Sequence, residues 1–289
     1  MKAPDFTYVR AATLDDAFCA KAEHGPESRW LAGGQSLLAS LAFRLSEPPA
    51  LIDISRIEAL RGIAFDGAML RIGAATTHTA LGASDIVAKH APLLAQAVPK
   101  IAHMAVRNRG TIGGSLGFAD PAAELPACCV ALDATIVTAS ATGERRIAAR
   151  DFWQGVYATA LDQSELITAI EVPAMRTGEH HVLYEVSRRA GDYAMAGVAT
   201  VLRTTANSIE GARLVFFALG DRPVVAGAAA RELIGHALDT ATIEAACKAL
   251  SSDLDPAGDL NGGVETKRHL AKVVLGRALA QLLASMKAS

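Results

Sequence analysis

"TIGGSLGFADP", residues 111–121, is the stretch that decides how this chain is read. Gly113 and Gly114 sit side by side in a run without charge from Gly110 to Ala119. Glycine weakens strands and helices, so a pair marks a turn or a backbone that something approaches closely. "AGGQS", residues 32–36, has the same form: an apolar approach, Gly-Gly, then a polar residue. A helix is expected directly after it. Backbone N–H groups at such places attract anions, and glycine lets a phosphate come near. Two such loops, one from each of two successive α/β units, suit the two phosphates of a pyrophosphate. The alternative for each pair is a tight turn.

Other phosphate signatures are absent: there is no GxxxxGK[ST], and no GxGxxG opens a helix after a strand. One rival lies inside the opening stretch. Gly113 to Gly117 matches GxSxG, with Ser115 as a hydrolase nucleophile and Asp162 with His180, His181 or His236 as partners. That elbow needs a strand before the serine and a helix directly after it. Here the next helix is expected only at Pro121, with Asp120 as its N-cap. A serine hydrolase therefore stands as an alternative, and a nucleotide-binding regulatory subunit as a third reading.

Outward from the two loops, the first sixty residues read β-α-β-α-β. A strand is expected in "DFTYVR" (5–10), and a helix over 13–25 with Thr13 as N-cap and Gly25 at its end. A short strand runs into Gly33, and "SLLASLAFRL" (36–45) reads as a helix with Leu37, Leu38, Leu41 and Leu45 on one face. Pro48-Pro49 breaks the chain before the buried strand "ALIDIS" (50–55). Next come a hairpin around Asp66-Gly67, a helical stretch from Leu81 to Ile101 interrupted at Pro92, and a short apolar helix broken by Pro126. A second hairpin turns at Thr142 to Glu144, and a strand ends at Pro173. "RTGEHH" (176–181) reads as a linker. Three strands follow, near 182–186, 198–204 and 212–218, then helices near 224–233, 242–254 and 265–286. Strands followed by helices make an α+β pattern.

Composition excludes several classes. Half of the 289 residues are apolar (51%), 20% are charged and the net charge is −2, so no basic excess points to nucleic acid. The longest uncharged run, Trp30 to Phe43, falls short of the ~20 apolar residues of a membrane span. The four cysteines form no CxxC pair, which suggests neither zinc nor iron–sulfur ligation and fits a reducing, cytoplasmic setting. The adjacent Cys128 and Cys129 read as buried packing, His180-His181 as linker rather than metal ligands, and His78 either as a contact to nucleotide or partner or as part of a helix-capping neighbourhood. Arg107 and Arg109 flank the second loop, either steering a ligand or partner or lying on solvated surface.

"LAGGQSLL", "RNRGTIGGSLGFADPAAELP", "ALDA" and "SRRAGDYAMAGVA" resemble, in order and spacing, the FAD-binding medium subunit of the molybdenum hydroxylases, the group of xanthine dehydrogenase and carbon monoxide dehydrogenase. The resemblance covers nearly the whole chain. It implies an α+β fold in which two small α/β subdomains (1–58 and 59–176) form a PCMH-type FAD-binding domain. A C-terminal α+β domain of three strands and helices fills 177–289. It places Ala32, Gly33, Gly34, Gln35 and Ser36 in one FAD loop and Thr111, Ile112, Gly113, Gly114 and Ser115 in the other. Glu124 matches an acidic position near the nucleotide, and Tyr193 a residue close to the isoalloxazine. Gln35 departs from the histidine common there. The implied partners are a small [2Fe–2S] subunit and a large molybdenum-pterin subunit, arranged as a dimer of heterotrimers. Substrate oxidation takes place on the large one.

Overall fold

The computed structural model describes residues 3–205 and 208–288. Strand β1 (Thr7–Arg10), β2 (Arg29–Leu31) and β3 (Ala50–Asp53) form a parallel sheet with β3 in the middle. Helix α1 (Leu14–His24) is closed at its start by a capping box between Thr13 and Asp16 and ends at Gly25, φ 79°. Helix α2 (Leu37–Ala42) is shorter than the leucine spacing predicts. Arg44, at φ 55°, turns the chain before Leu45, so Leu41 is buried while Leu38 and Leu45 are exposed. The four leucines therefore do not form one core face.

The second sheet has the order β4 (Ile63–Phe65), β5 (Met69–Gly73), β10 (Leu166–Pro173), β6 (Thr135–Ser140), β7 (Gly143–Ala148), every neighbour antiparallel. A small hairpin, β8 (Trp153–Gly155) and β9 (Ala158–Thr159), lies between β7 and β10. The stretch from β5 to β6 is a chain of short helices: α3 (His78–Gly82), α4 (Asp85–His90), α5 (Pro92–Ala97), α6 (Met104–Arg107), α7 (Ile112–Phe118) and α8 (Glu124–Ala131). Helix α9 (Ala149–Phe152) follows β7. Pro92 opens α5, where its missing N–H is not needed.

Two expectations in this region are corrected. The opening stretch is itself a helix, with Thr111 as N-cap and both glycines in the first turn of α7. The following helix starts at Glu124, not Pro121, and its N-cap is Ala123. Asp120 instead closes a local turn by accepting from Ala122 N. Pro126 does not break α8. As the third residue it needs no intrahelical donor.

In the last part, β11 (Glu179–Ser187), β12 (Ala194–Thr205), β13 (Ser208–Phe217) and β14 (Val224–Val225) make an antiparallel sheet of four strands rather than three. The extra strand is two residues long, below what alternation in a sequence can signal. The expected linker is also corrected: Glu179, His180 and His181 already belong to β11, and His181 is buried. Gly178, at φ 78°, makes the turn that starts the strand. Helices α10 (Gly227–Leu233), α11 (Thr240–Ala249) and α12 (Val264–Ala288) cover one face through Val198, Leu214, Phe216, Leu275 and Leu279. The other face, with Ala199, Val201, Val215 and Phe217, shares a core with α5 and α8. Burial on both faces explains why β12 reads as an almost unbroken apolar run.

Candidate functional site

The two glycine stretches meet. A Cβ built on Gly33 would lie 2.1 Å from Arg109 O and 2.8 Å from Gly110 Cα, so only glycine lets the first loop sit on the approach to the second. Gly113 is pressed as closely against Ala74, 2.6 Å from its Cβ and 2.8 Å from its O. At these two positions the thing that comes close is the protein itself. Gly34 has φ 73°, and Gly114 is exposed.

The loops differ in what they leave open. In α7, Ile112 N donates to Thr76 O, Gly113 N to Ala74 O, Gly114 N to the Thr111 hydroxyl and Ser115 N to Thr111 O. The helix start is thus satisfied internally. In the first loop, by contrast, none of the described residues accepts from the N–H groups of Gly33, Gly34, Gln35 or Ser36. Four consecutive donors are thus left open to an incoming acceptor. The Gln35 amide braces the loop by donating to Gly33 O at 3.1 Å. Ala32 faces Gly114 across the gap, 3.7 Å from the position of a Cβ there.

From this junction α7 presents Gly114 and Gly117 to the outside, with Ser115 and Phe118 half-buried beside them. Ala119, at φ 55°, ends the helix, and its carbonyl accepts from Tyr157 N. The rings of Phe118 and Tyr157 meet edge to face, 5.0 Å apart. Tyr157 and Tyr193 are both large exposed aromatics. Although much of the Tyr193 ring is exposed, partial burial raises its phenol, and the charges of Asp120, Tyr157, Glu124 and Asp192 add to the effect. Tyr193 therefore stands at this aromatic end and not inside β12, which begins at Ala194.

Glu124, the first residue of α8, is buried beneath that end. Burial pushes its carboxyl up to about 8, and the charges of Glu185 and Asp120 push the same way. Burial raises Asp120 and Glu185 as well. One Glu185 oxygen is buried with no hydrogen-bond partner.

Ser115 is the fourth residue of α7, with no strand running into it, so the nucleophile-elbow geometry is not present. His78 is the first residue of α3, whose cap is Thr77. It is buried, both ring nitrogens lack a partner, and burial lowers it to about 4. Arg107 is spent on the carbonyls of Ile101 and Ala102, while Arg109 is exposed. Cys128 and Cys129 are fully buried in α8.

Residues 4–175 match the family described as the FAD binding domain in molybdopterin dehydrogenase, and 181–282 the CO dehydrogenase flavoprotein C-terminal domain. The chain belongs to the FAD-binding medium subunits of the molybdenum hydroxylases. The glyceraldehyde dehydrogenase medium chain of Sulfolobus acidocaldarius is 36% identical over 98% of this chain and 100% of its own length. The carbon monoxide dehydrogenase of Hydrogenophaga pseudoflava superposes with a TM-score of 0.94 at 36% identity, over 97% of this chain and 98% of its own. Quinoline 2-oxidoreductase from Pseudomonas putida 86 gives 0.93 at 36%, over 97% and 98%. As a medium subunit the chain is the FAD-binding part of an oxidoreductase.

Of the residues singled out from the sequence of this medium subunit, the structure brings Ala32–Ser36 and Thr111–Ser115 together and sets Glu124 with Tyr193. Tyr157 and Glu185 join them without a sequence signal of their own, while Phe118 and Asp120 lie in the quoted stretch 111–121 with no ligand role assigned to them there. Tyr157 carries φ 55° in a two-strand hairpin, a conformation that no neighbouring residue type announces. No helix among the described residues is long and apolar enough to cross a membrane.

Proposed function

We propose that this chain carries electrons from a [2Fe–2S] partner subunit, through FAD, to an external acceptor. The substrate is oxidised at molybdenum on a third, large subunit. The observation that carries the reading is the row of four open amides at Gly33 to Ser36, set against the exposed glycine face of α7. The open amides would hold the pyrophosphate of FAD, with the Ser115 hydroxyl opposite. Gly114 and Gly117 leave room for the chain that joins phosphate to ring. Tyr193 and Tyr157 would flank the isoalloxazine, since tyrosine offers both a stacking face and a hydroxyl. Glu124, whose carboxyl burial pushes up to about 8, would donate a hydrogen bond to the nucleotide rather than repel its phosphates.

FAD, when bound, supplies the exchange between one-electron and two-electron chemistry that such a relay needs. The protein's own part is to hold and orient it and to exclude water from one side. The complex is read as a dimer of heterotrimers in the cytoplasm. Its substrate is read as an N-heterocycle or small aromatic, the class to which quinoline belongs. Ser115 has a ligand-binding role here, not a nucleophilic one.

Gly114→Val tests the reading: its side chain would stand in the gap between the loops, and because its Cβ would also lie 2.9 Å from the Thr111 hydroxyl that caps α7, the urea midpoint is measured alongside the flavin content. The expected protein is folded, with little flavin after gel filtration. Full FAD occupancy in a well-folded Gly114→Val would contradict the assignment.

A further inference from the structure

One side chain from the last helix ties together the elements that carry Tyr193 and Glu124. Lys267, near the start of α12, has a side chain that is only 2% exposed, and its Nζ reaches Asp259 Oδ2 at 2.8 Å, Met195 O at 2.8 Å and Ala218 O at 3.0 Å. An ammonium has three donors, and these partners take all of them. A buried ammonium is costly unless it is paired in this way. Asp259 is satisfied in turn, because its Oδ1 accepts from Asn261 N and Gly262 N.

The two carbonyls lie where the sheet ends. The pairing of β12 with β13 stops at Gly197 opposite Phe217, short of both Met195 and Ala218. On its other side β12 slips against β11 between Ala196 and Ala194, so Met195 opposes no residue there. Ala218 stands at φ 61°, a left-handed conformation that is unfavourable for a residue with a side chain. Lys267 therefore supplies at this edge the donor that a strand partner supplies elsewhere.

Both carbonyls lead to the flavin end. Met195 follows Tyr193 by two residues, and the Tyr193 N–H donates to Asp192 Oδ1 at 2.9 Å. Ala218 N donates to Pro121 O at 2.8 Å, in the turn between Asp120 and Glu124. The ammonium thus joins the strand that starts behind Tyr193 to the turn that sets the two acids.

We propose that Lys267 is a positioning residue for the flavin: by holding Met195 O and Ala218 O together it keeps Tyr193 in register with Asp120 and Glu124. The inference rests on the function proposed above, which sets Tyr193 beside the isoalloxazine. A methionine at 267 would fill much of the same space but leave both carbonyls and Asp259 without their donor, and the head of β12 would then be free to shift.

The test compares FAD-loaded variants by visible spectrum, redox titration and melting temperature. Lys267→Met should keep its FAD, melt at a lower temperature and show a displaced flavin spectrum and potential, with reoxidation changed several-fold. Combined with Tyr193→Ala it should add less than its separate shift, because it acts through Tyr193. Leu279→Ala, a core truncation in the same helix, should lower the melting temperature and leave spectrum and potential unmoved. Should Lys267→Met not fold, Lys267→Gln, which keeps two N–H donors, carries the test with a smaller displacement. A folded variant with the unaltered spectrum and potential, a shift that simply adds to that of Tyr193→Ala, or an equal displacement in Leu279→Ala would overturn the positioning role alone. A Tyr193→Ala whose flavin is itself unmoved would overturn the placement of Tyr193 in the proposed function as well.

Discussion

Glu124→Gln replaces the buried carboxyl at the head of α8 with a neutral amide of similar shape. In the folded chain this carboxyl is pushed from 4.5 up to about 8, by burial first and then by Glu185 and Asp120. The folded state therefore holds its proton more tightly than the unfolded state. Its contribution to stability is intact below pH 4.5 and is lost progressively as pH rises to about 8. At about 1.36 kcal/mol per pKa unit the loss approaches 5 kcal/mol above pH 8, on the order of 2–5 kcal/mol allowing for relaxation of the site. Of the groups facing it, Asp120 and Glu185 act in the same direction and Lys100 tempers Glu185. The Cys128 thiol is held neutral by burial. His78, lowered to about 4, works with the opposite sign below pH 6.5 but is common to both proteins. Urea unfolding of the FAD-free protein from pH 5 to pH 9 measures the difference. Glu124→Gln should gain on the unaltered chain steadily across that range, and most of the gain should be present by pH 8. Two stability curves that run parallel from pH 5 to pH 9 would refute the buried, protonated Glu124.

Gly33→Ala should destabilise the fold by about 1–3 kcal/mol as well as release flavin, because its Cβ would strike Arg109 O at 2.1 Å; an unchanged urea midpoint would remove the contact between the loops. Tyr193→Ala should keep FAD bound while shifting the flavin spectrum, its reduction potential and its reoxidation rate. A spectrum and potential equal to those of the unaltered chain would place Tyr193 away from the ring.

The sequence carried the large pattern. Thr13 and Gly25 mark the ends of α1, Asp66-Gly67 marks the first hairpin, and the order of strands and helices separates the three larger sheets. The glycine stretches were legible as close approaches, but not what approaches. Gly113 reads the same whether it meets a phosphate or Ala74, because the reason for a missing Cβ lies in a neighbour elsewhere in the chain. The helical start of "TIGGSLGF" was hidden for a similar cause. Two glycines disfavour a helix locally, and Thr111 capping with donations to Thr76 O and Ala74 O outweighs that preference. Tyr157 and Glu185 reach the site only through tertiary packing. Leu45 left the core because of a single left-handed residue, Arg44, that composition does not mark.

The most direct measurement mixes the FAD-loaded chain with the chemically reduced [2Fe–2S] subunit, without oxygen, in a stopped-flow spectrometer. The flavin absorbance should bleach as the iron–sulfur absorbance returns, at a rate that rises with partner concentration, and Gly114→Val, depleted of flavin, should leave the partner reduced. A flavin that stays oxidised in the presence of a bound, reduced partner would contradict it.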